Sequence, residues 1–344
     1  MVIGMSPDLV NRSEQSGLPL TEGQLADLQR QFGGRVQRGV RLARYTTARV
    51  GGPAPALLET RSADELARVV TYLWQMDLPF FILGGGSNVL VSDSGLPAVV
   101  ILNRTRSIKS IRFNSDAQSP NVWAESGVNL ASLVRRAAQM GFSGMEWAIG
   151  IPGTLGGAVV GNAGAYHSDI ASVLLLADNL HRKPTIPTGL PARVQWTSKQ
   201  MGYSYRSSQL KSKPGEAVVL GALLRLEPST QEVVKAKMDR FNICRRETQP
   251  PGANMGSIFK NPPGDSSGRL IDAAGLKNMC IGDAFISPQH ANFLVNRGRA
   301  SAADIYALIR LAQRTVAEKF GVQLELEIEL LGHFDAEYGR ERKA

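Results

Sequence analysis

The sequence predicts an α+β protein: two successive α/β units, each with a glycine-rich loop, then a C-terminal α+β unit, in a chain of 344 residues. Three observations lead there. Helix-period and strand-like apolar segments alternate from Leu57 to Leu226. Two glycine clusters interrupt them, Gly84-Gly85-Gly86-Ser87-Asn88 and Ile149 to Tyr166 (IGIPGTLGGAVVGNAGAY), the second with six glycines and no charge in a chain that is 20% charged overall. Beyond Glu227-Pro228 the pattern changes to a polar helix, a proline-rich stretch and a long amphipathic helix followed by an alternating strand.

Residues 1 to about 40 read as a polar, glycine-punctuated appendage. Its one expected helix runs from Thr21 to Phe32, where Thr21 and Gln24 have capping-box spacing. From Leu57 a short strand leads to Ser62, which forms a second capping box with Glu65. Leu66, Val69, Val70, Leu73 and Trp74 then mark one apolar helix face. Pro79 to Leu83 is a buried strand that runs into the glycines before Val89-Leu90-Val91 resumes strand character. This reads as a hairpin-like loop, since the dinucleotide fingerprint needs glycines that open a helix. Val99 to Leu102 adds a strand before a polar break at Asn114 to Asn121.

The second unit opens with strand-like Val122 to Glu125. Leu130, Leu133, Val134, Ala137 and Ala138 define a helix that Gly141 ends. The long glycine segment follows, and by itself it has two readings: a small-residue helix packed closely on a sheet, or main chain shaped to approach an anion or planar cofactor. Val173 to Leu176 and Arg193 to Trp196 are strands around a loop with Pro184, Pro187 and Pro191, and Val218 to Leu226 closes the unit. Two glycine loops on two α/β units suggest a ligand between them. In the third unit a helix spans Ser229 to about Arg246, and Pro250-Pro251-Gly252 forbids helix in the stretch Gln249 to Asn261. Ser301 to Phe320 is a capped helix. The last strand, Val322 to Leu331, alternates strictly, with Glu325, Glu327 and Glu329 on its polar face.

Composition excludes several classes. Two distant cysteines, Cys244 and Cys280, fit a reducing compartment and exclude a disulfide scaffold, and four scattered histidines lack metal-ligand spacing, so no metal is expected. No apolar run approaches the ~18 residues of a membrane helix, so no membrane insertion and a cytoplasmic location are expected. The net charge of +9 is dispersed, which argues for small anionic ligands rather than nucleic acid.

Seven segments occur in order: Arg49-Val-Gly-Gly-Pro-Ala54, Leu83-Gly-Gly-Gly-Ser-Asn88, Gly150-Ile-Pro-Gly-Thr-Leu-Gly-Gly-Ala158, Asn162-Ala-Gly-Ala-Tyr166, Tyr205-Arg-Ser-Ser208, Gly256-Ser-Ile-Phe-Lys-Asn-Pro262 and His290-Ala-Asn-Phe-Leu-Val-Asn296. From about Arg41 to Gly332 the chain thereby resembles the UDP-N-acetylenolpyruvoylglucosamine reductases, bacterial flavoenzymes of peptidoglycan precursor synthesis. The resemblance implies a two-subdomain FAD-binding fold of the vanillyl-alcohol-oxidase/PCMH type plus a C-terminal α+β substrate domain. The implied division is an extension 1–40, an FAD-binding domain 41–227 (subdomains of about 41–105 and 106–227), a substrate domain 228–333 and a tail 334–344. The short spacing between Pro262 and Arg269 matches the shorter form of the family.

The resemblance also implies site residues. Non-covalent FAD would be held by Arg49, by Gly84, Gly85, Gly86, Ser87, Asn88, Val89 and Leu90, and by Ile151, Pro152, Gly153, Gly156, Gly157, Ala158, Asn162, Ala163, Gly164 and Tyr166. NADPH serves as reductant, and UDP-N-acetylglucosamine enolpyruvate is reduced by hydride from flavin N5 to its vinyl carbon. Ser257 is implied as proton donor, Arg206 as the cation that steadies developing negative charge, and Glu327 as the catalytic carboxylate with Glu325 as fallback. Tyr205, Lys260 and Asn261 are implied substrate contacts. A monomer is expected, and the alternative activity is another oxidase or dehydrogenase on the same flavin fold. Gly161, His167, Ala274 and Asn278 depart from the residues usual in the family.

Overall fold

The computed structural model describes residues 20–111, 120–183 and 191–334. Most of the expected polar break at 114–121, Pro184 and Pro187, residues 1–19 of the appendage and residues 335–344 of the tail lie outside them. The chain divides into two compact units. The first comprises Met1–Arg38, Pro55–Gly85 and Pro97–Cys244, and the second Gly39–Ala54, Gly86–Leu96 and Arg245–Ala344.

The first unit contains two sheets. In the four-stranded sheet the order is Val36–Arg41, Pro53–Thr60, Val99–Asn103, Phe80–Leu83. Val99–Asn103 runs parallel to both neighbours, in register Ala56 to Val99 and Phe80 to Val99. Parallel neighbours need a crossover, and the helix Ala63–Gln75 supplies it, burying Leu66, Val69, Val70, Leu73 and Trp74 as their spacing predicts. Ser62 caps that helix by accepting from Glu65 N, but the Glu65 carboxylate turns to Arg61 N at 2.7 Å rather than closing the box. The five-stranded sheet is antiparallel, in the order Ala192–Thr197, Leu174–His181, Ala217–Arg225, Asn121–Glu125, Ile108–Ile111. Its central strand is buried from Ala217 to Leu224, and Gly221 leaves room for the Trp123 ring, which a Cβ would meet at 2.8 Å.

Two expectations are corrected in this unit and at its boundary. Residues 20–38 are no appendage: the helix Glu22–Phe32 carries the expected Thr21 capping box, and Leu25, Leu28 and Phe32 enter the main core, with Phe32 edge-on to Tyr72 at 5.2 Å. Local polarity hid this because the apolar stripe is only three residues wide. Nor do Phe80–Leu83 and Val89–Val91 form a hairpin. They belong to different sheets, and Val89–Val91 pairs in parallel with Glu329–Leu331, some 240 residues further along the chain. No local signal encodes such a partner.

The second unit is built on an antiparallel sheet, Ala253–Ser257, Phe293–Asn296, Ala284–Ile286, Cys280–Ile281. The helix Ala302–Phe320 covers it with Ile305, Leu308, Ile309, Ala312 and Val316. That helix is capped twice, by the Ser301–Asp304 box and by Asp93, whose two oxygens each accept a backbone N–H, from Ala302 and Ala303, at 2.9 Å. The expected strand from Val322 to Leu331 is also corrected. Leu326 bridges antiparallel to Phe259, the chain bends at Glu327–Ile328, and only Glu329–Leu331 is strand. The segment changes partners at the bend, so no single continuous strand carries its three carboxylates.

Candidate active site

The two glycine clusters touch in the first unit. A Cβ on Gly85 would lie 2.9 Å from Gly153 Cα, and one on Gly84 would collide with the Thr154 side chain. The first loop therefore needs glycine at both positions, and the second needs it at Gly153, where φ is 125°. Thr154 precedes the short helix Leu155–Gly161, in which Leu155, Gly156, Ala158, Val159 and Val160 are buried. A Cβ on Gly156 would sit 2.8 Å from Ser126 Cβ, and the amides of Leu155 and Gly156 already donate to Val128 O at 2.8 Å and Ser126 O at 2.7 Å. Each reading of this segment thus fits one part of it. Gly156 and Ala158 are packing residues with their backbone spent, whereas Ile151, Pro152, Gly153, Gly157, Ala163, Gly164 and Tyr166 keep accessible surface.

Beyond that helix the chain turns back on itself. Gly164–Ala165 pairs with Ser168–Asp169 around a two-residue loop, Tyr166-His167, whose φ angles of 53° and 63° match a type I′ turn. Tyr166 stacks on Phe241 with centroids 4.5 Å apart. Arg206 occupies a second tight turn, Ser204 to Ser207, again with positive φ at 55°. Its guanidinium donates to Gly164 O at 2.7 Å and to Asn162 O at 3.5 Å. The neighbouring Tyr205 ring is 54% exposed, and the Arg206 guanidinium carbon lies 5.4 Å from its centre. Tyr203, two residues before Tyr205, is half-buried with Asp169 near it, and its desolvation and that charge push its phenol far above the usual range.

The second unit holds the other implied residues. Gly86 has φ 62°, and its carbonyl accepts from Thr47 N at 2.9 Å, in the loop that carries Arg49 at φ 58°. Arg49 is exposed, whereas Val89 and Leu90 are fully buried with their backbone in the Glu329–Leu331 pair, so their side chains serve the core. Ser257 ends the strand Ala253–Ser257 at a register shift after Asn254, where Gly256 takes φ 78°. Such a bulge re-aims the side chain that follows. Glu327 N donates to Ile258 O at 2.8 Å, and Asn88 Nδ2 donates to Glu327 O at 3.1 Å. Ser257 and Glu327 thereby sit on adjoining stretches of chain, with Asn88 fixing the bend.

Lys260 Nζ pairs with Glu325 at 2.9 Å, and this hydrogen bond and its charge hold the exposed Glu325 carboxyl below the usual range. Of the two candidate carboxylates, Glu325 is thus engaged at the surface while Glu327 is half-buried at the bend. Asn261 Oδ1 accepts from Ser267 N at 3.1 Å.

Sequence reasoning missed a cleft of about 960 Å³ in the first unit, walled by Tyr166 and Phe241 and edged by Arg225, Lys237 and Arg240. Among its lining residues Glu146 is buried. Burial raises its pKa, but hydrogen bonds from Ser143 and from backbone amides, together with Lys237, outweigh that and hold it below the usual range. No helix among the described residues is long and apolar enough to cross a membrane.

Comparison with known proteins identifies the family. Residues 54–179 match the model of an FAD binding domain, and residues 248–331 that of the UDP-N-acetylenolpyruvoylglucosamine reductase C-terminal domain. A reductase of that name from Chloroflexus aggregans is 43% identical over 293 residues, 84% of this chain and 95% of its own. Its counterpart from Chloroflexus aurantiacus is 40% identical over the same shares. The crystal structure of UDP-N-acetylenolpyruvylglucosamine reductase (MurB) from Thermus caldophilus superposes with a TM-score of 0.71 at 36% identity, covering 87% of this chain and 99% of that one. The chain belongs to the UDP-N-acetylenolpyruvoylglucosamine reductase family.

Proposed function

We propose that the protein reduces UDP-N-acetylglucosamine enolpyruvate to UDP-N-acetylmuramate, with NADPH as reductant and FAD as cofactor, for peptidoglycan precursor synthesis. The observation that supports this reading is the backbone pairing of Ile258–Lys260 with Glu325–Glu327, which sets the stretch that follows Ser257 beside the one that ends at Glu327. The contact of Gly84-Gly85 with Gly153-Thr154 brings the two glycine loops together, and the accessible, uncharged Ile151, Pro152, Gly153 and Gly157 beside it suit a flavin. Bound FAD supplies the hydride carrier that no side chain can replace.

In this reading Gly84, Gly85, Ile151, Pro152, Gly153 and Gly157 hold the cofactor through main chain and apolar surface. Arg49 and Ser87 are further cofactor residues that the family resemblance implies. Gly156, Ala158, Asn162, Val89 and Leu90 serve as framework. Arg206 carries a fixed positive charge for the carboxylate of the substrate as negative charge develops on it. Ser257 Oγ gives a proton to the adjoining carbon, a contribution of about 10²–10⁴ in rate. Glu327 orients that hydroxyl and its proton supply, while Lys260, Asn261 and Tyr205 contact the UDP-linked sugar. The cleft beside Tyr166, with an aromatic wall and cationic rim, suits the anionic part of a nucleotide. Residues 41–227 act as the FAD-binding domain and 228–333 as the substrate domain of a cytoplasmic monomer.

The spectrum of the purified protein tests the proposal. Oxidised flavin absorption is expected, bleaching anaerobically with NADPH and returning on addition of the UDP-linked enolpyruvyl sugar. A colourless protein that cannot be reconstituted with FAD overturns it. Ser257→Ala is expected to slow the return far more than the bleaching, and equal loss in both removes Ser257 from the donor role.

A further inference from the structure

The helix Leu155–Gly161 ends at Asn162, whose left-handed backbone (φ 47°, ψ 56°) returns its N–H to Ala158 O. The last carbonyls of a helix need partners from outside it. Two of them find hydroxyls on one short segment: Val159 O accepts from Tyr203 Oη at 2.9 Å and Val160 O from Ser208 Oγ at 2.5 Å. Between those two anchors lies the Ser204–Ser207 turn with Arg206 at positive φ, a conformation that favours glycine and persists only if something holds it.

The Asn162 side chain does the holding. It is 4% exposed, and both amide donors are used, toward Ser204 O at 3.2 Å and Asp169 Oδ2 at 2.9 Å, while Oδ1 accepts from Ala171 N at 3.0 Å. The backbone carbonyl of the same residue, with that of Gly164, receives the Arg206 guanidinium. One residue therefore grips the turn at its first corner by side chain and the arginine head by main chain.

We propose that Asn162, braced by Asp169, is a positioning residue that sets the location of the Arg206 guanidinium, rather than a cofactor ligand through its side chain. This rests on the reading of Arg206 as the cation of the reaction. Asn162→Gly keeps the left-handed backbone and deletes only the bridge. In the holoenzyme its ratio of reoxidation rate by the UDP-linked enolpyruvyl sugar to reduction rate by NADPH is expected to fall about tenfold or more, as small misplacements of a reacting group do. Hydrogen exchange at residues 203–208 is expected to accelerate. Added to Arg206→Ala, the same change is expected to do little more, since both act through one guanidinium.

An unchanged rate ratio in Asn162→Gly, or a full additional loss on top of Arg206→Ala, overturns the positioning role. Normal reoxidation in Arg206→Ala alone overturns instead the reading of Arg206 on which it rests. Should Asn162→Gly fail to fold, Asp169→Asn, which faces one amide with another while keeping an oxygen for the Ser172 N–H, is expected to lower the ratio in the same direction, and an unchanged ratio there overturns the role as well.

Discussion

Seven non-glycine residues among those described have positive φ, and four of them, Arg49, Asn162, Tyr166 and Arg206, are implied site residues. Backbone strain gathers where function is expected. Two more, His167 at 63° and Asn278 at 66°, depart from the residues usual in the family the sequence resembles and also lie in this region. Asparagine tolerates this region and histidine less so. His167 is exposed and fills the second central position of the Tyr166-His167 turn. His167→Gly is expected to raise stability by about 0.5–1 kcal/mol, since relief of ~1–2 kcal/mol of strain exceeds the ~0.4–1 kcal/mol gained by a freer unfolded chain. Urea unfolding measures it. A loss of stability would show that the imidazole is making a contact worth more than the strain.

Elements with local causes were legible in the sequence. The Thr21 capping box, the capped helix that starts after Ser301, the apolar stripe of Ala63–Gln75 and the stop at Gly141 all act within a few residues, and each stands where the sequence placed it. Elements with distant causes were not. The partner of Val89–Val91 lies near the other end of the chain, and the strict alternation after Val322 could not reveal a bend between two partners. At the site, the glycine motifs and Ser257 were singled out through family resemblance, whereas the hold on Arg206 and the grip of Asn162 on Ser204 come from contacts 42 residues apart.

Glu125 shows the same limit for a supporting residue. At 7% exposure its carboxylate accepts from Ala63 N at 3.0 Å, at the start of the Ala63–Gln75 helix, and from Arg106 N at 3.0 Å and Ser107 N at 2.9 Å. It thus ties the crossover helix to the strand Asn121–Glu125 and to the connection before Ile108–Ile111. Glu125→Gln turns one acceptor into a donor facing backbone N–H groups. A destabilisation of about 2–4 kcal/mol is expected, with faster hydrogen exchange in the first turn of that helix. A change below about 0.5 kcal/mol in denaturant unfolding would mean that water replaces the carboxylate without loss.

At the scale of the molecule, two half-buried histidines make stability depend on pH near neutrality. Burial lowers the pKa of His181 against the opposing charge of Glu216, and the buried Nε2 has no protein partner. Burial also lowers that of His290, assisted by Lys277 and partly offset by a backbone hydrogen bond. In both the folded value lies below the unfolded one, about 6.5. The unfolded chain therefore binds these protons first as pH falls, so stability is full above about pH 7 and declines as pH drops toward the folded values. The acidic groups act elsewhere: Glu146 and Glu325 are depressed and lose their contribution only in the carboxylate range, while burial raises Asp178 and opposes them there. Denaturant unfolding between pH 7.5 and 5.5 is thus expected to show a falling free energy that the double variant His181→Gln, His290→Gln flattens. An equal slope in the double variant would assign the decline to the mutual repulsion of a chain that already carries a net charge of +9.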